Sequence, residues 1–212
     1  AFSIIMYMIS FQNAVVNTPI TVSLAGKTPD QKTKYLSSIF SGQIAALALF
    51  SILGTLVISL MYLAGWGLNE SLLALSICLA SFGILNREFL RSYFFAEERP
   101  LKVLKLDFYY GLLYLSLIGI SYLLYKISVP LVLIFMGFAA GFDSLILNKS
   151  FQFNFKLKNI KEGYLENWLI SKWSLIGVTV THLQSYSYLY VIGAFLVSAA
   201  MADVSASRLL LM

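Results

Sequence analysis

The chain has 212 residues, 59% of them hydrophobic and 12% charged, with a formal net charge of +5 at neutral pH. A soluble domain carries about 25% charged residues, so a water-soluble core that hides this much apolar surface is excluded. Nucleic acid is excluded as the reason for the basic balance, because every basic run adjoins an apolar span and no base-reading motif is present.

Charges fall in islands between apolar stretches long enough to cross a hydrocarbon core of about 30 Å as helices. The expected fold is an all-α, polytopic transmembrane helix bundle. Its seven spans lie at about 1–24, 36–64, 71–95, 104–125, 128–148, 165–182 and 187–211. With that alternation, all but Lys126 of the fifteen Lys and Arg share one side, which is therefore cytoplasmic. Cys78 is the only cysteine and His182 the only histidine. An internal disulfide and His- or Cys-rich metal sites are thereby excluded, and no cofactor is expected. The chain opens and stops inside apolar runs without an initiating Met, and is read as a piece of a longer protein.

In the first span Ser10, Asn13, Asn17 and Thr21 repeat at helical spacing, and Pro19 breaks the backbone ladder just beyond. Polar side chains in lipid face protein or a water-filled cavity. Two readings stay open: Asn13 and Asn17 line a cavity, or they join neighbouring helices. The third span ends in Arg87 and Arg91, one turn apart, with Glu88 adjacent and Asp107 following. In the fourth, Asp107, Tyr110, Gly111, Tyr114, Ser121 and Tyr125 form one stripe. Its tyrosines suit a sugar face, or else simply an interface.

In the fifth span Asp143 follows Gly137-Phe-Ala-Ala-Gly141, a small-xxx-small contact surface. An acid there is a candidate for proton or sodium coupling, or else lies at the inner interface beside Asn148 and Lys149. Residues 149–167, with Phe151, Phe153 and Phe155 alternating with polar residues, read as a cytoplasmic interfacial linker. The uncharged run from Trp173 to Ala202 would be about 45 Å long as one helix, well beyond the core. It is therefore divided into two spans at 182–188, which makes His182 a loop residue and returns Arg208, near Asp203, to the cytoplasm. The small stripe Ala194, Ser198, Ala202 and Ala206 reads as packing.

Together, Gln12-Asn-Ala-Val-Val-Asn-Thr-Pro19, Asn86-Arg-Glu-Phe-Leu-Arg-Ser-Tyr-Phe-Phe-Ala96, Arg99-Pro100, Asp107, Lys172-Trp173 and Val197 to Arg208 resemble the polysaccharide-exporter branch of the multidrug/oligosaccharidyl-lipid/polysaccharide flippase superfamily. The resemblance covers nearly the whole chain and implies helices two to eight of a larger two-lobe transporter. Residues 1–148 would be the N-terminal lobe, 149–167 the link, and 168–212 the start of the second lobe. It implies no enzyme. The implied function is alternating-access export of lipid-linked oligosaccharide across the cytoplasmic (inner) membrane, with a coupling cation, H⁺ or Na⁺.

On that reading Arg87 and Arg91 meet the substrate's pyrophosphate, unless they serve an Arg–Asp bridge. Asn13, Asn17, Tyr110 and Tyr114 contact the saccharide, and Asp107 and Asp143 couple the ion. The alternatives are an ion-coupled multidrug exporter of the same superfamily and a membrane-embedded glycosyl or phosphoglycosyl transferase. The transferase would need clustered carboxylates. The acids here are scattered, Glu97-Glu98 being the only adjacent pair.

Overall fold

A computed structural model describes residues 2–24, 26–124, 127–147 and 156–195. Helices account for nearly all of them and no strand occurs among them. The first helix is continuous but changes pitch: α1 (Phe2–Gln12) passes through a π-helical segment (Asn13–Asn17) into α2 (Thr18–Leu24). There follow α3 (Pro29–Leu63), α4 (Leu68–Ala96), α5 (Pro100–Leu123), α6 (Val129–Leu147) and α7 (Leu157–Phe195).

Local chemistry sets the ends. Pro29 and Pro100 occupy first-turn positions, where the missing N–H has no intrahelical partner to lose. Thr28 and Gln31 form a capping box in which the Thr28 N–H donates to Gln31 Oε1 at 3.2 Å. Gly65, at φ +102°, makes the left-handed turn between α3 and α4 that a side chain would oppose.

Three helices, Pro29–Leu63, Leu68–Ala96 and Pro100–Leu123, are long and apolar enough to cross a membrane. The protein is a membrane protein on this ground. Its apolar surface agrees: Leu49, Ile52, Leu56, Leu60 and Leu63 of α3 and Leu112, Leu115 and Leu123 of α5 are exposed, as lipid-facing positions are.

The larger core lies towards the basic end, where Ile20, Leu24, Leu36, Ile39, Phe40, Phe89, Leu90, Phe94, Val103 and Leu106 pack together. A second core joins α1, α4 and α6 through Ile5, Ala80, Ile84, Leu133 and Ala140. There α4 and α6 touch backbone to backbone. A Cβ on Gly83 would collide with the Gly137 carbonyl, and one on Gly137 would lie 2.5 Å from the Ala80 Cα. The expected small-residue contact at Gly137 and Gly141 is thus made, with α4 as its partner.

Helices occur at each of the first five expected positions, with α3 beginning several residues before 36. The last two do not form as expected. Leu157–Phe195 is one helix, about 58 Å long at about 1.5 Å per residue, with no break at 182–188. Its polar residues resemble turn chemistry in sequence, yet no proline interrupts them, and hydroxyls in such a helix bond back to it, as Thr179 Oγ1 does to the Leu175 carbonyl at 2.9 Å. The same helix takes in Leu157 to Asn167, so that part of the expected linker is helical too. Residues 149–155, Tyr125, Lys126, Asp203 and Arg208 lie outside the described residues.

The bare α4–α6 contact yields a stability test. Gly137→Leu should lower resistance to unfolding by about 3 kcal/mol or more, since overpacking against backbone leaves no flexible atom to give way. Steric-trapping measurements in bicelles read this directly, and unchanged stability would contradict the contact.

Candidate functional site

Three polar constellations stand out in an otherwise apolar bundle. The first joins α4 to α5. Arg87 donates through Nη2 to Asp107 Oδ1 and lies 3.2 Å through Nη1 from Glu88 Oε1. Arg91 lies 3.3 Å from Glu88 Oε1 through Nη1 and 3.4 Å from Asp107 Oδ1 through Nε. The Arg87 guanidinium sits 4.1 Å from the ring centre of Tyr110, and Tyr110 stacks on Tyr114 at 5.8 Å with 9° between planes.

Two arginines therefore face two carboxylates, with no net charge. The Arg87 side chain is 11% exposed and that of Arg91 is 35% exposed, so only Arg91 presents a surface to solvent. This is the Arg–Asp bridge anticipated as one reading of the pair. A pyrophosphate could be held here only by displacing Asp107 or Glu88. Asp107 likewise meets two guanidinium groups, which compensate its charge without an added cation. Tyr114 belongs to the same stack.

The second constellation seats α7 on the first three helices. Pro19 has no N–H to offer the Val15 carbonyl four residues earlier. The single Ser171 Oγ–H on α7 is shared between the Asn167 carbonyl at 2.8 Å and that Val15 carbonyl at 3.1 Å. Nearby, Tyr35 donates its hydroxyl to Asn167 Oδ1, and Lys27 Nζ lies 2.6 Å from Glu166 Oε1. The Tyr164 ring rests where a Cβ on Gly42 would stand, 2.7 Å from its Cε2. Burial pushes the Tyr164 phenol above its ordinary range, so it is neutral at this contact.

Asn17 Nδ2 donates to Asn13 Oδ1 at 2.6 Å, and Asn17 is buried, so these two asparagines serve the π-helical segment itself. Thr21 is exposed and bonds back to the Thr18 carbonyl at 2.8 Å. At the same level Gln12 and Gln43 both donate through Nε2 to the Leu85 carbonyl, at 2.8 and 3.2 Å. They tie α1 and α3 to α4. Gln43 was missed in sequence; its signal was a carboxamide well inside a long apolar helix.

The third constellation is a cavity of about 510 Å³ between α1 and α7, lined by Ser10, Ser174, Gly177, Val178, Thr181, His182, Ser185 and Tyr186. On α7 these positions repeat at three- and four-residue spacing, one face of a helix. Ser10 was expected in such a lining; the α7 residues were not, because the run had been divided. His182 is not in a loop: it is buried in α7, its ring 4.6 Å from that of Tyr7 and 4.5 Å from that of Tyr186. Asp143 is on α6, and its side chain lies outside the described residues.

The charge cluster gives a double-mutant prediction. Arg87→Ala should cost about 2 kcal/mol or more by leaving Asp107 and Glu88 unbalanced in a half-buried place, whereas Arg87→Met with Asp107→Leu should recover most of the loss. Equal losses in both, followed by denaturant titration in micelles, would contradict the bridge. No family model, no curated protein and no solved structure matches this chain.

Proposed function

We propose that the protein is a membrane transporter that translocates lipid-linked oligosaccharide precursors across the cytoplasmic membrane by alternating access, its basic face being cytoplasmic. The observation that carries this reading is the hydroxyl-lined cavity between α1 and α7. Serine and threonine hydroxyls and a tyrosine beside an aromatic-flanked imidazole suit the alcohols and flat faces of a saccharide. The exposed leucines of α3 and α5 suit a lipid chain that stays in the bilayer while the head group crosses.

The seating of α7 on α1 to α3 supports the same cycle. At the basic end the helices are joined by Lys27–Glu166, Tyr35–Asn167 and Ser171–Val15, and the cavity lies beyond those contacts. Such an arrangement corresponds to a conformer closed to the cytoplasm. Rocking of α7, as the first helix of a second lobe, would open it. Arg91, the more exposed arginine, is the residue of the bridge positioned to meet a phosphate before the head group enters.

The test uses cells depleted of their own flippase and the complete protein, scoring lipid-linked oligosaccharide that reaches the outer leaflet. Wild type should restore transfer, and Thr181→Val with Ser185→Ala should reduce it about tenfold at equal membrane abundance, as expected for two lost hydrogen bonds to substrate. No transfer by abundant, inserted wild type would instead direct attention to the multidrug exporter or the transferase.

A further inference from the structure

His182 is the one histidine of the chain and occupies the uncharged part of α7. Lys172, the last charge before it, is ten positions earlier, so the imidazole lies about 15 Å along the helix from that charge. It lines the 510 Å³ cavity. The aromatic groups that face it come from both walls, Tyr7 from α1 and Tyr186 from α7. The other lining residues, Ser10, Ser174, Gly177, Val178, Thr181 and Ser185, carry no charge.

The ring is buried at this contact, and imidazole is the side chain that takes up a proton between about pH 5 and 8. We propose that His182 is a proton-binding site whose occupancy governs the contact between α1 and α7. A proton arriving from water in the cavity adds to the neutral imidazole and leaves an imidazolium; no other bond changes. Burial of the ring between the two helices disfavours its charged form, so the bound proton weakens the α1–α7 contact and favours opening. Loss of the proton restores that contact. This places proton coupling on α7 rather than on Asp107, whose charge is already met by Arg87 and Arg91. The inference rests on the transporter reading only for what the proton drives.

The test uses the complete protein in nanodiscs, with nitroxides at the exposed positions Ile4 on α1 and Leu183 on α7, in a Cys78→Ala background. Distance distributions are recorded at pH 5.5 and 8.0. The longer separation should gain about fivefold in population at pH 5.5, a coupling of ordinary size, and His182→Gln should abolish the change. Identical distributions at the two pH values in wild type, or an undiminished change in His182→Gln, would overturn the proposal. A pH response in a protein that transfers no saccharide would keep the proton site and remove the transporter. Saccharide transfer with no pH response would do the reverse.

Discussion

A backbone carbonyl released by a proline marks the place where α7 docks on the first helix. Pro19 cannot pair with Val15, the first helix widens into a π-helical turn, and Ser171 of α7 donates to the freed oxygen. In lipid such a carbonyl is expensive to leave unpaired, so the defect in one helix becomes the docking point of another. The adjoining contacts follow from that approach. Tyr164 reaches Gly42 because no side chain stands there, Gly163 lies against Ser38 and Ile39, and Lys27 meets Glu166. Without the seat, α7 has no reason to lie along α1, and the polar cavity between them has no second wall.

The bundle divides its polar groups by task. Some act as fasteners: Gln12 and Gln43 converge on the Leu85 carbonyl, and Arg87 ties α4 to α5 through Asp107. These resist separation because each half, once parted in an apolar medium, keeps an unmet charge or dipole. Others face space rather than one another. Ser10, Ser174 and Thr181 line a volume large enough for ligand-sized contents. Fasteners fix the helices; the lined space gives them something to do. Asn13 and Asn17 pair with each other inside the first helix, while the hydroxyls of α7 lie around the cavity.

Much of the architecture was legible from charge islands and apolar runs, which mark α3, α4, α5 and α6 without ambiguity. The bridge among Arg87, Glu88 and Asp107 was also visible as one reading, because neighbouring opposite charges at a helix end have few other ways to satisfy themselves. The long α7 was not. His182, Gln184, Ser185 and Ser187 carry turn-like polarity, and sequence offers no means to tell a turn from a helix face turned toward a cavity. Only the neighbouring helix decides that. Gln43 escaped notice for the same reason, since its partner lies 42 positions away in sequence. The helical stretch before Asn167 was hidden by the alternation of Phe151, Phe153 and Phe155 with polar residues just ahead of it, which suits an interfacial linker.

The proposed transport cycle requires that the contacts at the basic end release. The most direct measurement introduces Lys27→Cys and Glu166→Cys into the complete, otherwise cysteine-free protein and bridges them with a bifunctional methanethiosulfonate reagent. Outward transfer of lipid-linked saccharide is then followed before and after reduction. The account predicts that bridging stops transfer and that reduction restores it. Full transfer by the bridged protein would contradict the claim that α7 must leave its seat.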